Sequence, residues 1–205
     1  ILRGRDIKRY GYEFADLWLI CTHNGTPTTP PINIEDFPDI KAYLDKYYTQ
    51  LSERQDKGRT LYNLRSCIYM DDFSKQKIIF QEMVQEPSFM YDKDGKFYCL
   101  DTGRIITGND IEYIITILNS NLFFFAVKNF YGGGGLGANG VRMKHTFFEN
   151  FSCPIPNSEQ KHFLISLLNK TVNNIDNKHI EIEMNKEIYS MYGLTNEEIC
   201  FIEAQ

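Results

Sequence analysis

The segment from residue 114 to residue 148 contains no Asp or Glu, although the chain of 205 residues has 27 acidic and 22 basic residues. An aromatic stretch leads into the glycine-rich residues 132–140, and Arg142, Lys144 and His145 follow. Consecutive glycines favour a flexible loop. Such a loop, free of negative charge and flanked by basic and aromatic side chains, can approach a polyanion closely, and nucleic acid is the leading candidate. The alternative is a mobile connector without a ligand.

Length and composition allow one large domain, or one domain with an appendage. Hydrophobic residues make up 42% of the chain, which is enough for a sizeable core. No apolar run approaches the ~20 residues of a membrane-spanning helix, so no membrane partner is expected. The five cysteines form no CxxC pair, and they and the four histidines lack metal-ligand spacing. We therefore expect reduced thiols, a cytoplasmic location and no metal site. The start in mid-motif suggests a piece of a longer protein.

Negative charge is concentrated near the C-terminus. Residues 1–151 hold 18 Lys and Arg against 19 Asp and Glu, a net charge of −1. Residues 152–205 hold 4 Lys and Arg against 8 Asp and Glu, a net charge of −4. The body is therefore close to neutral, and a basic face on it is compatible with the composition.

Hydrophobic patterns predict a body of mixed α and β structure, residues 1–156. The predicted strands are residues 15–21, with Trp18 in the core, and 77–84, and a hairpin is predicted over 89–100 with its turn at Asp94-Gly95. The predicted helices are 35–54, with Pro38 in its first turn, and 109–120, capped by Asn109 or Asp110.

A helical tail, residues 157–205, is predicted after the stiff sequence Pro154-Ile155-Pro156. Ser158 is expected to cap the first helix, with apolar residues at helical spacing as far as Val172 and Ile175. A second helix is predicted near 180–192, with Gly193 in its C′ position. The sequence from Thr195 to Glu198 predicts a capping box that opens a final short helix. The tail is expected to pack on the body or on a separate catalytic domain.

Five segments in this order resemble the TaqI-like C-terminal specificity domain of type II restriction–modification enzymes. They are Leu2–Tyr10, Lys77–Glu82, Leu118–Leu122, Phe151–Pro156 and Ile188–Ile199. The resemblance implies an α+β fold, in which a mixed-sheet target recognition domain is followed by C-terminal helices.

The resemblance also implies that the chain recognises a sequence in double-stranded DNA and presents the DNA to an adenine-specific methyltransferase domain of the same chain. It implies a type IIG-like parent enzyme that uses S-adenosylmethionine, with Mg²⁺ for any nuclease, bound in catalytic domains absent here. No Asn-Pro-Pro-Tyr or Asp-Pro-Pro-Tyr motif occurs in the sequence. We therefore expect no catalytic residue and no cofactor in this fragment.

Eight residues are candidate DNA contacts. Arg142 and Lys144 are two apart, so on an extended segment both project to one side, where they could meet phosphates or, for Arg142, a guanine. The loop glycines would let backbone amides approach a phosphate. The alternative in each case is a solvated surface cation or, for Lys77, a cation at a strand edge. The candidates are Arg142, Lys144, His145, Gly135, Asn139, Arg59, Arg65 and Lys77.

Other functions stay open at this point. Half of a type I restriction specificity subunit would also carry helices after its recognition domain, and the sequence upstream of Ile1 would distinguish it. A protein-interaction domain acting through the tail helices is compatible with DNA recognition. A small-molecule enzyme using the glycine loop for a nucleotide is disfavoured, because no acid, base or nucleophile accompanies the loop.

Overall fold

A computed structural model of the chain describes residues 1–135, 137, 140–171 and 177–205. The described residues form two compact units, Ile1–Leu17 together with Lys75–Gln205, and Trp18–Ser74. The strands are β1 Lys77–Gln81, β2 Met83–Val84, β3 Phe89–Asp92, β4 Gly103–Ile106 and β5 Val141–Arg142. The helices are α1 Pro38–Asp45, α2 Tyr48–Glu53, α3 Ile111–Leu118, α4 Asn121–Asn129, α5 His145–Phe148, α6 Ser158–Thr171, α7 Lys178–Met191 and α8 Asn196–Glu203.

The larger unit is built on a three-stranded antiparallel sheet with the order β3-β1-β4. β1 lies in the centre, so Ile79 faces Met90 on one neighbour and Ile105 on the other. Two isolated parallel bridges, Leu2 with Cys99 and Tyr10 with Met90, attach the N-terminal segment. β2 and β5 form a separate antiparallel ladder. Together with the helices, these sheets confirm the predicted α+β class.

Helices α3, α4, α6 and α7 of the larger unit enclose one apolar core with the sheet. Its centre is a group of four phenylalanines in which Phe123 lies 5.8 Å from Phe89 and 5.4 Å from Phe148, measured between ring centroids. Phe80 stacks on Phe89 at 5.0 Å. Leu164 and Ile188 of the tail helices are buried in the same core. The tail therefore packs on the body, while a functional boundary after residue 156 stays a prediction.

The smaller unit, Trp18–Ser74, consists of loops, a 3-10 turn at Ile34–Asp36 and helices α1 and α2. Asn63 organises the loops from a buried position: its amide donates to the carbonyl of Ile32 at 2.9 Å, and its side-chain oxygen accepts from the Thr60 hydroxyl at 2.7 Å. The helix predicted over 35–54 is interrupted twice. The 3-10 turn at Ile34–Asp36 precedes α1, and a break separates α1 from α2. Pro38 begins α1, as predicted.

Two of the predicted β elements are wrong. Residues 15–21 form no strand; Asp16 has a φ of +53°, which interrupts an extended chain, and Trp18 is 82% exposed rather than in the core. The hairpin over 89–100 does not form because β3 pairs with β1, and the Asp92 carboxylate accepts the amides of Lys96 and Phe97 at 3.0 and 2.9 Å. The sequence predicts the turn at Asp94-Gly95, but it does not show which strand pairs with β3.

Two predicted helices lie close to their observed bounds, 109–120 at α3 and 180–192 at α7, whereas α4 was not predicted. The strand over 77–84 is divided at Glu82, where the chain passes from the central sheet to the β2–β5 ladder. Asp110 occupies the N-cap position of α3, but its carboxylate accepts from Lys161 at 2.6 Å and makes no cap hydrogen bond. Asn157 rather than Ser158 caps α6, by a reciprocal pair of hydrogen bonds with Gln160. Val172 and Ile175 lie outside the described residues.

The end of the chain follows the sequence signals. Gly193 follows α7 with a φ of +67°, and Thr195 and Glu198 form the capping box that begins α8. Both predictions are confirmed.

Candidate nucleic-acid interface

One open, polar groove of about 690 Å³ crosses the surface of the larger unit. It is lined by the N-terminal segment, by the end of β1 with β2 and the residues that follow, by α4 and by Gln205. The side chains that line it and carry charge or an amide are Arg5, Lys8, Gln81, Gln85, Glu86, Lys128 and Gln205. The groove is thus built from four parts of the chain that are far apart in sequence.

Cations outnumber anions along this groove. Arg5 and Lys8 are exposed, and Lys128 is half-buried at the end of α4. Lys8 has a long ion pair with Glu13 at 3.4 Å, with both side chains largely exposed, so the pair restrains it weakly. Glu86 is the only acidic residue among the described residues of the lining. The groove is therefore suited to a negatively charged ligand.

Arg142 lies beside the groove through the pairing of β5 with β2. It is directly opposite Met83, which is 55% exposed and lines the groove. Side chains directly opposite on an antiparallel pair share one face, with Cβ atoms about 5 Å apart. Arg142 therefore projects from the face that Met83 lines.

Lys144 and His145 follow Arg142 at the surface. Val141 and Met143 are buried while Arg142 and Lys144 are exposed, which agrees with the extended alternation expected from the sequence. Met143 is held in this position because its amide donates to the Glu82 carbonyl at 2.6 Å.

The glycine-rich loop is packed where it leaves α4 and open further on. A Cβ on Gly133 would lie 2.5 Å from Cγ1 of Val127, and one on Gly134 would lie 2.5 Å from the Lys128 carbonyl oxygen. Gly135 is exposed, has a φ of +90° and would meet nothing within 4 Å. Gly133 and Gly134 are thus required by close packing, whereas Gly132, Gly135 and Gly137 are exposed to solvent. Asn139 lies outside the described residues.

Arg59 and Arg65 belong to the smaller unit, where each is exposed. Arg59 lines a cleft of about 470 Å³, and Arg65 forms an ion pair with Asp56 at 3.4 Å on an exposed surface. Tyr62, which lies between the two arginines in the sequence, donates its hydroxyl to Asp45 at 2.5 Å, and this bond raises its pKa to about 12. The role of these arginines as DNA contacts stays a prediction.

Lys77 occupies a different environment from the other candidates. Its side chain is fully buried, and its Nζ lies 2.5 Å from Oδ2 of Asp92, which is itself 3% exposed. A cation enclosed in this way is held by the fold and is not presented on the surface. The burial favours a structural role over the proposed DNA contact.

The sequence did not single out Lys128, and for Arg5, Lys8 and Arg9 it favours packing on a separate methyltransferase domain over DNA contact, which stays a prediction. Within this chain, Arg9 pairs with Glu181 at 2.8 Å and donates to the carbonyl of Asn119. Arg5 and Lys8 instead line the groove. The local sequence does not predict that Arg9 is paired while Arg5 and Lys8 line the groove, because the residues that Arg9 contacts lie more than a hundred positions further along the chain.

Among the described residues, no group of three or more His, Cys, Asp or Glu side chains could hold a metal ion. The five cysteines are free thiols. Burial raises the pKa of the Cys21, Cys99 and Cys153 thiols, which disfavours the reactive thiolate. The groove itself is lined by positive charge and amide side chains, and none of these cysteines is among its described lining residues.

Comparison with known protein families gives a match to the TaqI-like C-terminal specificity domain over residues 1–135. The chain belongs to this family. The matched range contains the N-terminal segment, β1 to β4, α3 and α4, and so most of the groove. Arg142, Lys144, His145 and the tail helices lie beyond it.

Membership of a specificity-domain family indicates DNA sequence recognition in restriction–modification enzymes. A specificity domain is not itself catalytic. Within the described residues, no single helix has both the length and the apolar composition needed to cross a membrane. Only the pair α3 and α4, bent by 62° at the break between them, passes that test jointly, and most of α3 is buried as in a core helix.

Proposed function

We propose that this specificity domain reads the target sequence for an adenine-specific DNA methyltransferase domain of the same polypeptide, in a type II, IIG-like restriction–modification enzyme. The observation that carries the proposal is the groove of the larger unit, where Arg5, Lys8 and Lys128 converge beside Arg142. S-adenosylmethionine and Mg²⁺ would be bound by the catalytic domains, and the parent enzyme would act in the cytoplasm.

Two kinds of contact follow from the side chains available. Arg5, Lys8 and Lys128 would neutralise phosphates, which gives affinity and register without sequence information. Arg142 can bind guanine in a bidentate manner, and Gln85 can do the same with adenine, so these two would read bases. Gln81 is less available, because its amide donates to the carbonyl of Met83 at 2.6 Å.

The first experiment is a selection from a random duplex library, with sequencing, at two salt concentrations. Enrichment of one short motif is expected, and it would name the target. Binding that depends on salt but enriches nothing would mean that specificity requires the catalytic domain. Absence of binding at low salt would contradict the assignment of the groove.

A variant pair assigns the contacts. Arg142→Ala combined with Lys144→Ala should weaken duplex binding. The slope of log K against log salt should fall by about 1 if Lys144 alone meets a phosphate and Arg142 binds guanine, and by about 2 if both side chains meet phosphates. The matched control is Lys170→Ala with Lys186→Ala, which removes two exposed cations from α6 and α7. An unchanged slope in the first variant would remove this segment from the DNA interface.

A further inference from the structure

A second surface of the larger unit is apolar and lies between α4 and α8. It is a groove of about 450 Å³ whose floor and walls are formed by Leu122, Phe125, Phe130, Leu194, Phe201 and Ile202. Phe130 is 73% exposed and Phe201 is 60% exposed. Such large aromatic side chains, adjacent to each other at the surface, are characteristic of interaction sites.

The three phenylalanines form a set with defined geometry. Phe125 lies 5.6 Å from Phe130 and 5.8 Å from Phe201, between ring centroids, and both contacts are edge-to-face with interplanar angles of 76° and 85°. In this arrangement ring edges contact the faces of neighbouring rings, and the exposed Phe130 and Phe201 leave ring surface open to solvent. An open ring face carries partial negative charge and attracts a cation.

Charge along this groove has a single sign. Apart from the apolar residues, its described lining consists of Glu197 and Glu198. The Glu198 carboxylate accepts from the amide and the hydroxyl of Thr195 at 2.8 and 2.9 Å, which fixes its position and lowers its pKa. Glu197 is exposed on the same turn of α8. The groove therefore presents aromatic faces together with two carboxylates.

This charge decides between possible occupants. DNA and anionic lipid would be repelled by the two glutamates. A second copy of the chain, docked groove to groove, would place its own pair of carboxylates against them, and like charges in such a position oppose association. A partner that carries positive charge next to apolar side chains satisfies both properties of the groove.

We propose that the α4–α8 groove docks a protein segment that presents an Arg or Lys side chain flanked by apolar side chains. The cation would lie over the faces of Phe130 and Phe201 and pair with Glu197, while its apolar neighbours fill the groove. This site is separate in chemistry from the basic groove and does not depend on the proposed role in DNA recognition.

The proposal is tested by selecting a displayed library of random 12-residue peptides against the immobilised protein. Enrichment of sequences that combine Arg or Lys with Leu, Ile, Met or Phe is expected. Enrichment of acidic sequences, or no enrichment, would overturn the proposal. A concentration-dependent dimer in light scattering that Phe201→Ala abolishes would also overturn it, in favour of self-association.

Variants then place the selected peptide. Phe201→Ala should weaken its binding about tenfold or more, as expected for a central aromatic anchor. Glu197→Lys, which retains the aromatic floor, should weaken it as well, and this second variant serves if Phe201→Ala fails to fold. The control is Phe163→Ala, an exposed phenylalanine of α6 outside the groove. Equal effects of Phe163→Ala and Phe201→Ala would refute the site.

DNA binding by the same variants separates this proposal from the proposed function. Phe201→Ala and Glu197→Lys should leave the affinity and salt slope for a duplex unchanged. If peptide binding fails while DNA binding persists, only the docking site is refuted. If DNA binding fails in the unmodified protein while the peptide binds, only the DNA proposal is refuted.

Discussion

Replacing Lys77 by Met should destabilise the larger unit strongly without removing a DNA contact. Met preserves much of the apolar stem but removes the charge, so the buried Asp92 carboxylate loses its partner at 2.5 Å. Breaking a buried ion pair by removing one member costs about 3–5 kcal/mol in the free energy of unfolding, because the remaining charge is uncompensated.

The structure places the effect near the lower end of that range. The Asp92 carboxylate would still accept hydrogen bonds from the amides of Lys96 and Phe97, which stabilise its charge in the absence of Lys77. We therefore expect a loss of about 3 kcal/mol. For a chain of this size, that loss corresponds to a decrease in Tm of roughly 6–12 °C. Typical domains have about 5–15 kcal/mol of stability, so the variant should remain mostly folded.

Urea unfolding followed by circular dichroism measures the loss, and amide exchange at Lys96 and Phe97 localises it. The matched control is Lys93→Met, an exposed lysine in the following turn, which should change stability by less than about 0.5 kcal/mol. Adding Asp92→Asn to Lys77→Met should recover part of the loss, because the buried charge is removed while a side-chain acceptor remains.

Two results would refute this reasoning. A loss below about 1 kcal/mol would mean that Lys77 is not enclosed as described, since surface ion pairs contribute about that much or less. Unchanged stability together with a lower salt slope for duplex binding would assign Lys77 to the DNA interface instead.

Three further variants test local features. Gly133→Ala should cost about 1–3 kcal/mol, measured by urea unfolding, because its Cβ would lie 2.5 Å from a side chain of α4, whereas Gly11→Ala, with open space around it, should cost little. The Arg3 hydrogen bond lowers the pKa of Asp6 from 3.8 to about 2. This pair therefore stabilises the fold above pH 4, and its contribution to the free energy of unfolding is lost as the pH falls towards 2. Asp6→Asn should make the free energy of unfolding less dependent on pH in that window, and an unchanged pH dependence would contradict this assignment. Thr195→Ala should cost about 1 kcal/mol and speed amide exchange at the start of α8, and unchanged exchange there would exclude a role for the cap.

Local signals predicted much of the chain. The helices over 109–120 and 180–192, the glycine after α7 and the Thr195–Glu198 box all depend on residues within one or two turns of each other. Hydrogen bonds of that range are specified by sequence spacing, so periodicity and capping residues suffice to find them. The specificity-domain family, and the α+β fold that it implies, were indicated instead by the resemblance of five ordered segments along the chain.

The β structure required the tertiary fold. An apolar run predicts an extended segment but not its ladder partner, which is the error at 89–100. At 15–21 the segment is not a strand, because Asp16 has a φ of +53°. The candidate DNA contacts have the same limitation. Lys77 and Arg5 are equally cationic in the sequence, but one is enclosed beside Asp92 and the other lines the groove.

Periodicity and capping residues predicted α3, α6, α7 and α8 and the signals at Gly193 and Thr195, and five ordered segments indicated the family. The sequence also shows which types of side chain are available for DNA. The cations that share a surface are set by the tertiary fold, which brings Lys128, Arg5, Lys8 and Met83 together in one groove with Arg142 alongside. The physical reason is the range of the interactions. Capping and periodicity act between neighbours in the chain, whereas burial, strand pairing and the convergence of charge depend on segments that meet only when the core has formed.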